Sequence, residues 1–368
     1  MDSGLKHFPF RDSGMPDLSL GVDADMTPDA GTGPSDSGAA SADATAGADA
    51  TAGADAAQDM DAMTAADVGA TMMVDSGVMP PPPCPNPIRI EGGGQYCTIM
   101  AAVGAATTGA IIDVPSGRYA EIVTISQTIT LRGPAGSPSV IIAATSAAPA
   151  LTIGGTGITV QNIALAPNGG RGADVTGEGT LQNVTISNAT NSAILILGQA
   201  TLDTVSIGTT NGVGVNIMTN GRCTITHSTI DKSIAGGVAV EGGTLAIHAS
   251  TISNSGDPAC SPSNQNACNP GIWASTNSQV TIDQGSVVSY TSFDGVDIGL
   301  GSTLLMQNAT ITNNTGDGIW LYQAGSVTIQ STSVTNNWYT GIDCQQSSAQ
   351  CSSNSVHGNA SGSSCNGC

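Results

Sequence analysis

The sequence predicts an all-β solenoid, a parallel β-helix with about three short strands per coil, carried behind an acidic N-terminal spacer. Three observations predict it. First, a glycine followed by an inward-outward-inward triplet recurs through the second half of the chain. It reads Gly172-Ala173-Asp174-Val175, Gly212-Val213-Gly214-Val215, Gly237-Val238-Ala239-Val240, Gly271-Ile272-Trp273-Ala274, Gly295-Val296-Asp297-Ile298, Gly318-Ile319-Trp320-Leu321 and Gly341-Ile342-Asp343-Cys344, with Ser192-Ala193-Ile194-Leu195 filling the first gap. The last four glycines are 24, 23 and 23 residues apart. Second, each unit adds further runs of period two, rich in β-branched residues. Leu181-Gln182-Asn183-Val184-Thr185-Ile186 is matched by Leu202-Asp203-Thr204-Val205-Ser206-Ile207, and later units carry Val280-Thr281-Ile282, Leu304-Leu305-Met306 with Ile311, and Val327-Thr328-Ile329 with Val334. Third, Gly, Asn and Ser turns separate these runs, with no helical period between them.

Residues 1–83 have a different chemistry. Through residue 80 they hold 14 of the chain's 28 acidic residues, all Asp, against only Lys6 and Arg11. The stretch "ADATAGADATAGADAAQDMDA" is self-repelling and too poor in apolar side chains to offset the entropy of ordering, so the segment is expected to be a disordered spacer. Pro80-Pro81-Pro82-Pro83 stiffens its end. The opening "MDSGLKHFPFRDSG" has no apolar core region, and the expectation is that the true start lies upstream.

Residues 84–351 are expected to form the β-helix. At its front, "YCTIMAAVGAA" is the one good helix candidate, spanning about 97–106, with Thr98 as N-cap and Ile99, Ala102, Val103 and Ala106 on one apolar face. It would cover the first coil, whose open edge would otherwise template association. Asn188, Asn254, Asn313, Asn314, Asn336 and Asn337 lie near corners, where Asn tolerates positive φ and its amide can bond the same group one coil away. The 34-residue interval from Gly237 to Gly271 leaves a surplus, "GDPACSPSNQNACNP", that reads as a corner loop. Residues 352–368 read as a polar, Cys-containing tail.

The 9 cysteines suggest an oxidising compartment. Eight fall in close sequence pairs, Cys84/Cys97, Cys260/Cys268, Cys344/Cys351 and Cys365/Cys368, although spacing does not fix connectivity. Zinc competes for the last four, but no His stands at ligand spacing with them and His357 is isolated. Cys223 takes the inward position held elsewhere by Leu181, Leu202, Leu245 and Leu304, so a small buried hydrophobe is expected. From residue 84 onward there are 6 basic residues against 14 acidic ones. Such a surface repels nucleic acid and anionic membranes. No stretch is long and apolar enough to span a bilayer as a helix. The expected form is an extracellular or cell-surface monomer.

The stretch from Tyr96 to Gly133 resembles the N-terminal region of pectin-methylesterase-like proteins. The matching residues are the helix above, then Ile112-Asp113-Val114-Pro115-Ser116-Gly117-Arg118-Tyr119-Ala120-Glu121 and Ile129-Thr130-Leu131-Arg132-Gly133. "ITNNTGDGIWL" and "VTNNWYTGIDC" resemble the repeat of right-handed parallel β-helices of the pectin-lyase-like superfamily. The resemblance covers most of residues 90–350 and implies a right-handed coil. It implies no catalytic residue. The Gln-Asp pair and Asp-Phe-Ile-Phe-Gly segment of pectin methylesterases are absent, as are the Asn-Thr-Asp, Asp-Asp and Gly-His-Gly signatures of polygalacturonases and the Arg-rich strand of pectate lyases. The spacer resembles those of secreted or lipid-anchored surface proteins of Gram-negative bacteria.

One constellation can carry chemistry. The outward column of the glycine strands is read as Asp174, Ile194, Gly214, Ala239, Trp273, Asp297, Trp320, Asp343. Its last four members alternate aromatic and carboxylate, and Asp294 and Asp317 precede two of the glycines. Tyr290, Phe293, Tyr322 and Tyr339 lie in the same coils, and all three Trp (Trp273, Trp320, Trp338) fall at this end of a chain with 3% aromatics. Flat rings suit a sugar face and carboxylates accept sugar hydroxyls, so Trp273, Asp294, Asp297, Asp317, Trp320, Tyr322 and Asp343 are the candidate glycan-binding residues. With coils about 4.8 Å apart, Asp297 and Asp343 would stand roughly 9.6 Å apart, near the upper end of an inverting glycosidase pair. In that alternative, a hydrolase or lyase, Asp343 would be the general acid and Asp297 the base. Adjacent-coil carboxylates could instead hold calcium. The bland alternatives are turn chemistry at the two Asp-Gly corners and a purely structural surface protein. A polyuronate is disfavoured, because no Lys or Arg shares this face. His248 is read as outward and alone, His227 as a corner residue, and Arg171 with Asp174 as a local surface pair.

Overall fold

A computed structural model of the protein describes residues 84–136, 138–260 and 268–368. The expected spacer over 1–83 and the tip of the corner loop, 261–267, lie outside the described residues. The chain winds through three sheets in strict rotation. The second and third sheets hold 11 strands each, from Gly117–Tyr119 to Ser355–His357 and from Val123–Ile125 to Ser361–Ser363. The first holds 13, because the antiparallel strands Gln95–Tyr96 and Ile88–Ile90 precede Ile111–Asp113. Among the described residues every pairing beyond those two is parallel and joins one coil to the next, as a parallel β-solenoid of about eleven turns requires.

The core is a set of aligned columns. In the first sheet Leu181, Leu202, Ile225, Ile247, Ile282, Met306 and Ile329 pair in succession, and all are buried. In the second sheet Ile186, Ile207, Ile230, Ile252, Val288, Ile311 and Val334 do the same. Side chains alternate inward and outward along each short strand, so one apolar residue in two suffices to fill the interior. Each buried Ile, Leu or Val contributes about 1.5–3 kcal/mol, which makes the columns the main stabilising element. Cys223 is buried, and burial pushes its thiol pKa up, as befits a small hydrophobe. Its column holds Leu245 and Leu304 as expected, but not Leu181 and Leu202. It pairs with Ala200 and Leu245, whereas Leu181 and Leu202 stack on Ile225, two residues further along the strand.

Corners are turned by single residues in the left-handed region, among them Asn162, Asn183, His227, Asn254, Asn313 and Asn336. The Asn-Asn pairs divide the two expected roles. Asn313 and Asn336 take the positive φ, while Asn314 and Asn337 turn inward and form a ladder. Asn314 Nδ2 donates to Asn337 Oδ1 at 2.9 Å, and Asn337 Nδ2 donates to Asn359 Oδ1 at 2.9 Å.

The ends are closed differently. At the front, Ile99–Ala105 is helical, Thr98 Oγ1 accepts from Ala101 N at 3.1 Å, and Ile99, Ala102 and Val103 are buried. The Glu121 carboxylate accepts the first two helical amides, Ile99 N at 2.9 Å and Met100 N at 3.0 Å, which suits the positive end of a helix. Cys84–Cys97 staples the segment ahead of it. At the back, residues 352–368 are not a tail. Ser355–His357 and Ser361–Ser363 continue the second and third sheets through one more coil. The disulfides follow that coil, joining Cys344 to Cys365 and Cys351 to Cys368, and so correct the sequence pairs Cys344/Cys351 and Cys365/Cys368. The reason is register. Cys344 and Cys351 sit on different sheets, in the columns of Leu321 and Ile329. The partner one coil further on is the one at disulfide reach, with Cα–Cα 5.2 Å and 5.0 Å. Cys260–Cys268 closes the corner loop.

Candidate functional site

The site stands on the outer face of four consecutive third-sheet strands, Ile272–Ser275, Val296–Gly299, Ile319–Tyr322 and Thr340–Gln345. Their register pairs Trp273 with Asp297, Asp297 with Trp320 and Trp320 with Asp343. The inward neighbours Ile272, Val296, Ile319 and Ile342 are fully buried and pin that register, since a one-residue slip would send each of them outward. Two residues further along, Tyr322 shares the outer face with Trp320. The two rings are stacked, with planes 13° from parallel and centroids 5.6 Å apart.

Asp294 and Asp317 occupy the corner entering two of these strands. Asp294 Oδ1 accepts the Asp317 amide at 2.6 Å, and Asp317 Oδ1 accepts the Thr340 amide at 2.6 Å, so each carboxylate ties its corner to the next. Asp343 is held from two sides: Oδ1 accepts from Ser364 Oγ at 2.7 Å and Oδ2 from Gln345 Nε2 at 3.1 Å. The structure thus places Trp273, Asp297, Trp320 and Asp343 in one outer column, with Tyr322 on the same face and Asp294 and Asp317 at the adjoining corner.

Apart from the partly exposed Asp317, these carboxyls are not the exposed turn residues that Asp-Gly chemistry would give. Asp294 is 3% exposed, Asp297 7% and Asp343 3%. Burial, then the charges of Asp317 and Asp297, push the Asp294 carboxyl well above its ordinary value. Burial, then the charge of Asp317, does the same to Asp297. Asp297 Oδ1 is buried with no hydrogen-bond partner. A carboxylate left in that condition is costly, and the usual relief is protonation or a ligand.

Earlier coils correct part of the expected column. Its members are Asp174, Leu195, Asn216 and Ala239, rather than Asp174, Ile194, Gly214 and Ala239. Ile194 is fully buried on the inner side, and Gly214 is the corner glycine, in line with Gly237. Asn216 was therefore missed, although it is buried in the same column and its Oδ1 also lacks a partner. The signal was present: Gly214-Val215-Asn216-Ile217 matches Gly295-Val296-Asp297-Ile298 more closely than the quartet starting at Gly212. Arg171 does pair with Asp174, through Nε at 2.6 Å and the terminal amine at 2.8 Å.

Elsewhere, His248 is not alone on the first sheet, since its Nδ1 meets Asp283 Oδ1. His227 Nδ1 lies 3.3 Å from Asp203 Oδ1. Trp338 and Tyr290 stand at corners, 71% and 60% exposed. Among the described residues no group of three or more His, Cys, Asp or Glu side chains could hold a metal ion. No helix among the described residues is long and apolar enough to cross a membrane.

Comparisons with known proteins agree with the fold. A family model described as a right-handed β-helix region matches residues 263–368. No curated protein matches the chain. The chain is similar to the A-module of mannuronan C-5 epimerase AlgE4 from Azotobacter vinelandii, at 12% identity and a TM-score of 0.50, over 72% of this chain and 91% of that one. It is also similar to ORF18 of Geobacillus virus E2, at 14% identity and a TM-score of 0.50, over 71% of this chain. It spans only 56% of that viral protein. At such identities the likeness shows the fold alone.

Proposed function

We propose that the third-sheet face over the C-terminal coils binds a polysaccharide, and that the β-helix presents it outside the cell. The observation that carries this reading is the single column Trp273, Asp297, Trp320, Asp343 at one-coil spacing. The stacked pair of Trp320 and Tyr322 supplies aromatic surface for the C–H face of a sugar ring. The carboxylates accept from its hydroxyls. A linear polymer laid along the stack would meet aromatic and carboxylate positions at regular intervals of about 4.8 Å. Four disulfides support an oxidising compartment. The shared fold of an enzyme named for mannuronan transfers neither substrate nor residue to this chain. Glycan-array binding by the wild-type protein, lost in Trp320→Ala, is the expected result. Equal binding by both proteins would remove the face from consideration.

A second reading, a hydrolase or lyase, is favoured by one observation. Asp297 is buried, lacks a partner on Oδ1 and has a raised pKa, which are properties of a general acid. Asp343 already accepts two side-chain hydrogen bonds. In this reading Asp297 is the acid and Asp343 the base, the reverse of the expected assignment. Release of reducing or unsaturated ends from mixed polysaccharides, abolished in Asp297→Asn, is its test.

A further inference from the structure

The glycan reading leaves the sugar class open, and the charge of this end of the molecule narrows it. After Lys232 the chain contains no Lys or Arg at all, while Glu241, Asp257, Asp283, Asp294, Asp297, Asp317 and Asp343 follow. A uronate or sulfated polymer laid on this face would meet carboxylates with no cation to neutralise it. A neutral sugar would offer the buried Asp297 carboxyl no positive partner. The unpartnered Asp297 Oδ1 asks for a donor, and the charges of Asp317, Asp297 and Asp343 around Asp294 favour one that is itself positive.

The surroundings of Asp297 fit a small cation on a ring. Its partners above and below in the column are Trp273 and Trp320. Indole faces attract cations as well as sugar C–H groups. The next outward position along its own strand is Gly299, which pairs with Tyr322 and carries no side chain. Gly299 and Asp297 are both buried, so a donor reaches Oδ1 only where the side chains over them give way.

We infer that the ligand is an oligosaccharide with free amino groups, a polymer of unacetylated 2-amino sugars, one of whose ammonium groups donates to Asp297 Oδ1 while the ring lies against Trp320 and Tyr322. The inference rests on the glycan reading and adds the sugar class to it. An ammonium at this position satisfies the buried oxygen and offsets the repulsion among Asp294, Asp297 and Asp317. An N-acetyl group at the same carbon removes the charge and adds bulk beside Asp297.

The test uses the full-length protein and calorimetric titration with three oligosaccharides of equal length: glucosamine oligomers, N-acetylglucosamine oligomers and oligogalacturonate. Tetralysine is the fourth probe. A charge-assisted hydrogen bond predicts glucosamine oligomers binding about 10- to 100-fold more tightly than their acetylated counterparts. Oligogalacturonate is expected to bind weakest. Asp297→Asn keeps the side-chain volume and should erase the preference for the free amine, with its circular dichroism unchanged. Equal binding of acetylated and free oligomers would overturn the amino-sugar inference and leave the glycan reading standing. Binding of none of the saccharides would overturn both. Tetralysine binding as tightly as the glucosamine oligomer would also overturn the inference, because charge without the ring would then suffice.

Discussion

Asp297 and Trp320 are Cα partners on adjacent coils of the third sheet, so a carboxyl that is 7% exposed stands next in column to an indole. That relationship has a consequence for stability that needs no ligand. In the unfolded chain Asp297 titrates near the ordinary carboxylate value of about 3.9. In the folded protein burial raises it well above that. Between the two values the folded state binds more protons than the unfolded one, so stability falls as pH rises through this window. The contribution is fully present below the unfolded value and lost above the folded one.

Asp297→Asn should therefore stabilise the protein at neutral pH, and the gain should shrink as the pH is lowered toward 4. Thermal melts of both proteins across this range give the answer through the difference in Tm. A variant less stable than wild type at pH 7 would mean that Asp297 is charged and compensated in the folded state. Asp294→Asn should show the same sign with a smaller gain, because Asp294 Oδ1 already accepts the Asp317 amide.

Much of this column could be read from the sequence, and the reason is mechanical. Gly271, Gly295, Gly318 and Gly341 are spaced almost evenly, so column alignment follows from counting. The earlier coils resisted counting because Gly212 and Gly214 both look like corner glycines. Only the pairing of Asn216 with Leu195 and Ala239 decides between them. Burial of the carboxyls was not legible either. A residue pointing outward from a strand reads as exposed, and nothing local shows how far its neighbours in the column cover it. Cys84/Cys97 and Cys260/Cys268 were paired correctly, but the two C-terminal pairs failed for a related reason: closeness along the chain is not closeness in a coil, where the nearest side chain is one turn away.

The asparagine ladder is expected to be a main polar contributor to the C-terminal coils. Asn337 is 2% exposed; it donates to Asn359 and accepts from Asn314, both through its side chain. It also accepts the Asn314 amide at 3.1 Å. Asn337→Ala removes the acceptor shared by the buried Asn314 backbone and side-chain amides, while Asn359 Oδ1 keeps the Asn337 amide at 2.8 Å, and each stranded group costs about 1–3 kcal/mol. A loss of roughly 3 kcal/mol in denaturant unfolding is expected. Asn336→Gly, at the neighbouring corner, should cost far less, since Asn336 supplies a φ of 57° that glycine adopts freely. Similar losses from the two variants would contradict the division of roles between them.

Gly318 tests the tightness of the corner beside the site. A Cβ added there would lie 2.4 Å from Val334 Cγ1, 2.5 Å from Gly341 O and 2.7 Å from Asn337 Nδ2. Two of these are fixed by the adjacent coil and by the ladder, so little can yield. Gly318→Ala is expected to destabilise by about 2 kcal/mol or more and to weaken glycan binding by displacing Trp320, two residues on. Gly362→Ala, where a Cβ meets nothing within 4 Å, is the matched control and should leave both measurements nearly unchanged.

The terminal disulfides give the most direct check on register. If the last coil is formed, Cys344 bonds Cys365 and Cys351 bonds Cys368, closing intervals of 21 and 17 residues. Loops of that size are worth about 3 kcal/mol each in the chain-entropy account. Non-reducing digestion with chymotrypsin and pepsin, followed by mass spectrometry, should recover the 344–365 and 351–368 pairs. The double variant Cys351→Ser with Cys368→Ser should release the first-sheet end of the final coil, seen as faster amide exchange in 350–352 and 355–357, while the coils before Asn314 stay protected. Each coil is stabilised mainly by its two neighbours, so fraying from one end should stop within a coil or two rather than spread. Recovery of a Cys344–Cys351 peptide would place those side chains across the interior from one another. Residues 352–368 would then not stack as a coil, and Ser364 could not reach Asp343 from it.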